Sequence, residues 1–92
     1  MHISFTWDRT KSRGNLRKHG IGFEEASTAF GDPLSLTIPD PDHSEDEARW
    51  QLIGLTKRGR LVVVAHIEMT RTVRIISARL ATRNERKTYE EG

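Results

Sequence analysis

Residues 60–79, RLVVVAHIEMTRTVRIISAR, decide how the rest of the chain can fold. They read as two strands, Leu61 to Glu68 and Thr72 to Arg79, rich in the β-branched residues that suit a pleated, half-buried surface. In the first strand Leu61, Val63, Ala65 and Ile67 make one wholly apolar face. Val62, Val64, His66 and Glu68 make the other, apolar at one end and ionisable at the other. Side chains alternate with period two, so the first set is expected inside and the second on an open face. That open face is where chemistry is expected.

Working backwards, Arg49 to Thr56 reads as a strand, and Arg58-Gly59 offers a two-residue hairpin turn with glycine at a positive φ. That turn predicts Leu55 opposite Val62, Gln51 opposite His66 and Arg49 opposite Glu68, with Trp50 and Leu52 facing the core. Working forwards, the linker Met69-Thr70-Arg71 holds no glycine, so turn chemistry leaves its length open. An even loop would bury Arg74 unpaired, at a cost of several kcal/mol. An odd loop is therefore expected, with Val73, Ile75 and Ser77 inside and Arg74 joining Arg49, Gln51, His66 and Glu68 outside.

The flanking segments supply helices. Ile3 to Trp7 alternates as a short strand, Asp8 is an N-cap, and Arg9 to His19 runs as a helix stopped by Gly20. Leu16 is its only large apolar residue, so the helix is expected to hold on through Leu16 and through neighbours such as Trp7. Phe23, Ala26 and Phe30 form one stripe of a second helix, ended by Gly31-Asp32-Pro33. Leu34, Leu36 and Ile38 alternate as a strand with one face inward. Ser44 with Glu47 suggests one helical turn, and Thr82 with Glu85 caps a helix from Arg83 to about Glu91. The expected fold is α+β: a small antiparallel sheet with two N-terminal helices and a C-terminal helix.

Composition bounds the rest. The chain has 92 residues, 35% of them hydrophobic and 30% charged, which suits one domain over residues 1–92 with helices on one face of the sheet. There are no cysteines, which excludes disulfides and thiolate metal sites. The first residues lack a signal peptide's apolar run and nothing approaches ~18 consecutive apolar residues, so a soluble cytoplasmic protein is expected. The net charge of +2 hides an uneven layout. Residues 1–20 carry five Lys/Arg against Asp8, residues 21–56 carry eight acids against Arg49, and residues 57–92 are again basic. Two basic ends around an acidic middle suit a phosphate backbone, or simply keep a small domain soluble.

Placed in this frame, the chain resembles the BrnT family of toxins from bacterial type II toxin–antitoxin systems. The resemblance rests on Trp7-Asp8, Lys11, Asn15, Lys18-His19-Gly20 and Phe23, then Asp32-Pro33, His43-Ser44, Glu47 and Arg49. It continues through Arg74-Ile75-Ile76-Ser77-Ala78-Arg79 to Ala81, Arg86 and Tyr89-Glu90. It implies a RelE-like fold, an mRNA-interferase type of ribonuclease activity that halts translation, and a BrnA-type antitoxin. It also implies a two-to-two toxin–antitoxin complex that touches operator DNA only through the antitoxin.

Ribonuclease chemistry without a metal needs a base for the ribose 2′-OH, a cation for the phosphorane and an acid for the 5′-oxygen. His66 and Glu68 are candidates for proton transfer, and Arg74 with Arg49 or Arg79 for holding the phosphate. The bland alternatives are an Arg49–Glu68 cross-strand pair and a His66–Gln51 bond. Lys11, Lys18, Arg58, Arg60, Arg83 and Arg86 are the candidate RNA contacts, although Lys18 and His19 also suit the negative end of their helix. Tyr89 reads as a packing residue, and Trp7 and Trp50 as core. Asp40, Asp42, His43, Asp46 and Glu47 lack the glycine and glutamate spacing of a calcium loop, so no metal or other cofactor is expected. The alternative function is a non-catalytic basic RNA- or protein-binding module acting as a co-repressor subunit.

Overall fold

A computed structural model describes residues 3–41 and 48–92. The strands β3 (Arg49–Leu55) and β4 (Leu61–Met69) form the expected hairpin, but its turn takes three residues, not two. Leu55 opposes Leu61, and the Thr56 N–H donates to the Arg60 carbonyl at 2.9 Å, enclosing Lys57, Arg58 and Gly59. Gly59 stands at φ +80° and donates its N–H to the Thr56 carbonyl at 2.8 Å. A left-handed last residue is the mark of the three-residue hairpin loop. The Thr56 hydroxyl reinforces it by accepting from the Arg58 and Arg60 N–H groups.

That extra residue overturns the expected register. Trp50 opposes His66, Gln51 opposes Ala65 and Arg49 opposes Ile67, each one position from the prediction. A slip of one exchanges the two faces of a strand. Val62, Val64 and His66 therefore lie in the main core, with Ile21, Phe23, Ala26, Ala29, Leu52, Val73, Ile75 and Ala78. Ala65 and Ile67 face the other side. Neither the Arg49–Glu68 pair nor the His66–Gln51 bond forms.

The β4–β5 loop departs too. Met69 opposes Thr72, leaving Thr70-Arg71 as an even two-residue turn with Arg71 at φ +61°. Along β5 (Thr72–Leu80), His66 opposes Ile75 but Ala65 opposes Ser77, so Ile76 is the extra residue of a β-bulge. For Arg74 the two departures cancel. It opposes Ile67 and shares the open face with Arg49 and Gln51, as expected. Ser77, expected inside, is exposed, and past the bulge Ala78 takes the buried place.

The five strands run in the order β1-β5-β4-β3-β2. β1 (Ser4–Thr6) pairs parallel with β5, so the sheet is mixed, not antiparallel throughout. A strand followed by helices, unlike one in a hairpin, can reach a parallel neighbour. β2 (Leu36–Pro39) is the opposite edge and buries little: Leu34 and Ile38 are exposed, against the expected inward face.

α1 (Arg9–His19) begins at Asp8, whose carboxylate accepts the Lys11 N–H at 3.0 Å, and ends at Gly20, φ +74°. Leu16 does not anchor it; that side chain is 54% exposed. The anchor is polar. The Asn15 amide donates to the Ile21 and Ala78 carbonyls, both at 2.7 Å, and its oxygen accepts the Ala78 N–H. Ser12 Oγ accepts the Phe23 N–H at 2.9 Å. α2 (Phe23–Thr28) and a 3₁₀ turn, Ala29–Gly31, bury Phe23, Ala26 and Ala29 as their apolar stripe requires.

α3 (Arg83–Glu91) starts at the Thr82/Glu85 capping box. With Ala81 and Tyr89 it covers a second small cluster, Ile53, Leu61 and Val63, on the other side of the sheet. The sheet is thus packed on both faces, fully on one and at one end of the other. The suggested turn at Ser44 and Glu47 lies outside the described residues. No helix among the described residues is long and apolar enough to cross a membrane.

Candidate functional site

The face that α3 leaves uncovered is laid out in rows by the strand register. Residues directly opposite on neighbouring strands share a face. One row is Arg49, Ile67, Arg74 and Thr6. The next is Ile38, Gln51, Ala65 and Ser77. A third, Leu36, Ile53, Val63 and Arg79, leads under α3. Two strand spacings separate the backbones of Arg49 and Arg74 by about 10 Å. Their long side chains flank Ile67 and can converge on one anion above it.

These two arginines differ from Arg60 and Arg79 in what they hold. Among the described residues neither Arg49 nor Arg74 makes a hydrogen bond or an ion pair. The charge of Arg74 is felt at Asp8, whose carboxyl is held below its usual range chiefly by the Lys11 N–H. Arg79, in contrast, meets Glu85 through two bonds of 2.7 and 2.8 Å. That pairing, against the cost of burial, holds the Glu85 carboxyl at about 2 and raises Arg79 further. Arg60 is likewise engaged. Its Nε lies 2.9 Å from Glu25 Oε2, its Nη2 reaches Glu25 Oε1, and the same nitrogen donates to the Gly20 carbonyl at 2.8 Å. Arg60 therefore fastens the hairpin turn to α2 and the end of α1.

His66 is not on the open face. Its ring is fully buried, set edge-on to Phe30 with centroids 4.8 Å apart. Nδ1 lies 3.1 Å from the Val64 carbonyl and Nε2 lies 3.1 Å from Glu68 Oε2. Both ring nitrogens face an oxygen atom. Glu68 opposes Val73 on the same side, with its side chain 48% exposed. The expected grouping of His66 and Glu68 with Arg49 and Arg74 is thereby corrected: the one-residue slip sends the pair to the helix-covered side.

Of the remaining candidates, Lys11 and Lys18 are exposed on α1, Arg58 on the hairpin turn, and Arg83 and Arg86 on α3. Tyr89 packs on the α3 cluster, and its hydroxyl donates to Asp32 Oδ2 at 2.6 Å, which holds that hydroxyl above its ordinary range. Burial would raise Asp32, but bonds from the Leu55 N–H, the Tyr89 hydroxyl and the Leu34 N–H outweigh it. Trp7 and Trp50 are half-buried. No group of three or more metal-ligating side chains occurs among the described residues, and Asp42, His43, Asp46 and Glu47 lie outside them. Ser77 and Asn15 were not expected in their roles. The bulge that turns Ser77 outward has no turn residue to announce it.

A family model described as "Ribonuclease toxin, BrnT, of type II toxin-antitoxin system" matches residues 7–85. The chain belongs to the BrnT family. It is a ribonuclease toxin of that family, and membership implies an antitoxin partner. The crystal structure of the Brucella abortus ribonuclease toxin BrnT is similar in fold, with TM-score 0.67 at 20% identity. The match covers 88% of this chain and 99% of that one. No curated protein matches the chain. The matched segment includes Arg49, Gln51, Ala65, Ile67, Arg74 and Ser77 of the open face and ends at the ion pair at Glu85.

Proposed function

We propose that this BrnT-family chain cleaves RNA on the open sheet face, with Arg49 and Arg74 holding the scissile phosphate above Ile67. The observation that carries the reading is that these two guanidiniums flank one apolar residue and hold no carboxylate among the described residues. In the reaction the ribose 2′-oxygen attacks the adjacent phosphorus and the bond to the 5′-oxygen breaks. The products are a 2′,3′-cyclic phosphate and a 5′-hydroxyl. The 2′-hydroxyl proton leaves to water, and the departing 5′-oxygen takes one from water. The arginines stabilise the charge that builds on the phosphorane, and planar guanidiniums suit two of its oxygens at once. This chemistry calls for no metal ion.

His66 and Glu68 act in this reading through the fold, by fixing the end of β4. Arg79 reaches phosphate only in exchange for Glu85. Lys11, Lys18, Arg58, Arg83 and Arg86 attract the RNA backbone without reading its sequence. The residues 1–92 work as one RelE-like domain in the cytoplasm. A BrnA-type antitoxin in a two-to-two complex neutralises it by covering the open face, and operator DNA is bound through that antitoxin.

The test is a defined 5′-labelled RNA incubated with the purified chain, with and without EDTA. Cleavage to cyclic-phosphate ends is expected in both. Arg49→Ala and Arg74→Ala should each slow it about 10²-fold, the effect of removing one transition-state donor. Undiminished cleavage by both variants would overturn the reading.

A further inference from the structure

The row beside the two arginines is built differently from its neighbours. Ala65, half-buried, sits between Gln51 and Ser77, while the same face of β4 carries the larger Val63 and Ile67 on either side. Those neighbours stand about 7 Å from Ala65 along the strand, so the small side chain leaves a shallow dent one residue pair away from the arginine row. Two polar groups border it. Gln51 offers an amide that both donates and accepts, and Ser77 a hydroxyl that does the same. Among the described residues neither side chain has a hydrogen-bond partner.

The bulge makes this arrangement. Without Ile76 as an extra residue, Ala65 would oppose Ile76, and Ser77 would fall opposite Val64 on the buried side. Bulges re-aim side chains and cluster beside active sites. Here one turns a hydroxyl outward in place of an isoleucine and puts Ala78 inside, where Asn15 clasps its N–H and carbonyl.

We propose that Gln51 and Ser77, across Ala65, form a seat that reads the base edge of a nucleotide next to the scissile phosphate, and so set which sites are cut. The occupant is single-stranded RNA: the adjoining row is cationic, and the chain is a ribonuclease toxin. Unstacked bases are read by hydrogen bonds to their edges. The inference rests on the open-face reading above and adds the residues that choose the site.

The experiment maps cut sites on a pool of RNAs randomised around one position, using the purified full chain. Wild type is expected to prefer one base. Gln51→Ala and Ser77→Ala should each reduce that preference about fivefold, the discrimination one hydrogen bond supplies. Ala65→Leu, which fills the dent and removes no polar group, should abolish the preference. Circular dichroism establishes that each variant is folded. An unchanged base ranking in all three variants, or a wild type without any preference, would overturn the seat while Arg49→Ala and Arg74→Ala still slowed every site. Undiminished cleavage in those two arginine variants would remove the open-face reading and the seat together.

Discussion

The Arg79 guanidinium and the Glu85 carboxylate meet through two parallel bonds, Nη1 to Oε1 at 2.7 Å and Nη2 to Oε2 at 2.8 Å. Glu85 also accepts the Thr82 N–H, so one carboxylate fastens α3 to β5 and caps the helix. Because its folded pKa is about 2, below the unfolded value, protonation favours the unfolded chain. The pair's stabilisation is complete above about pH 4.5 and is lost as pH falls toward 2. Glu85→Gln keeps the capping box and loses the charge. It should cost about 1 kcal/mol at pH 7, since the pair is partly exposed. Urea midpoints from pH 7 downward should show this gap closing; a gap independent of pH would contradict it.

Arg60→Ala leaves the Glu25 carboxylate, 12% exposed, without its main partner. The expected loss is about 2 kcal/mol, with part of it recovered in the Arg60→Ala/Glu25→Ala double variant. Both variants should bind RNA as wild type does. A drop in affinity matching that of Arg74→Ala would return Arg60 to the RNA-contacting set.

Asn15 holds α1 to the sheet by side-chain bonds alone, since the helix buries no residue. Asn15→Ala should cost about 2 kcal/mol by leaving the Ile21 and Ala78 carbonyls short of a donor. Asn15→Asp should cost more, because a carboxylate would then face two carbonyl oxygens. Thermal denaturation ranks the three chains, and an aspartate variant as stable as wild type would argue against the clamp.

His66→Ala should destabilise by about 3 kcal/mol through the cavity it leaves beside Phe30. Under conditions where the variant is fully folded, RNA cleavage should remain within a few-fold of wild type. Arg74→Ala should show the reverse pattern, stable but slowed about 10²-fold. Complete loss of cleavage in a folded His66→Ala chain would restore the imidazole to the chemistry.

Binding of an uncleavable 2′-O-methyl RNA should weaken with salt, and each of Arg49→Ala and Arg74→Ala should lower the slope of log affinity against log salt by about 0.7. The loss should be the same for every RNA sequence, as phosphate contacts carry no base information. A sequence-dependent loss would mean that these arginines touch bases.

The elements were legible because their signals are local. Asp8 and Gly20 bound α1, Thr82 and Glu85 start α3, and alternation marks β3, β4 and β5. Which side of the sheet is buried was not legible, because both faces of β4 are apolar over Leu61 to Val64. That ambiguity made the hairpin loop decisive. Arg58-Gly59 satisfies a two-residue turn as well as a three-residue one, and the Thr56 hydroxyl and backbone bonds that select the longer loop form only once the strands have met.

The open face is legible in part for the same reason. Arg49, Gln51 and Arg74 lie on it as expected, whereas His66, Glu68 and Ser77 each lie on the side opposite to the expected one. Composition and local patterning were enough to establish an α+β chain with cations on an uncovered sheet face. Three-dimensional pairing alone decided which proton carriers accompany them, because in a strand one inserted residue inverts every side chain beyond it. Short-range preferences in the chain do not record that parity; contacts between distant segments do.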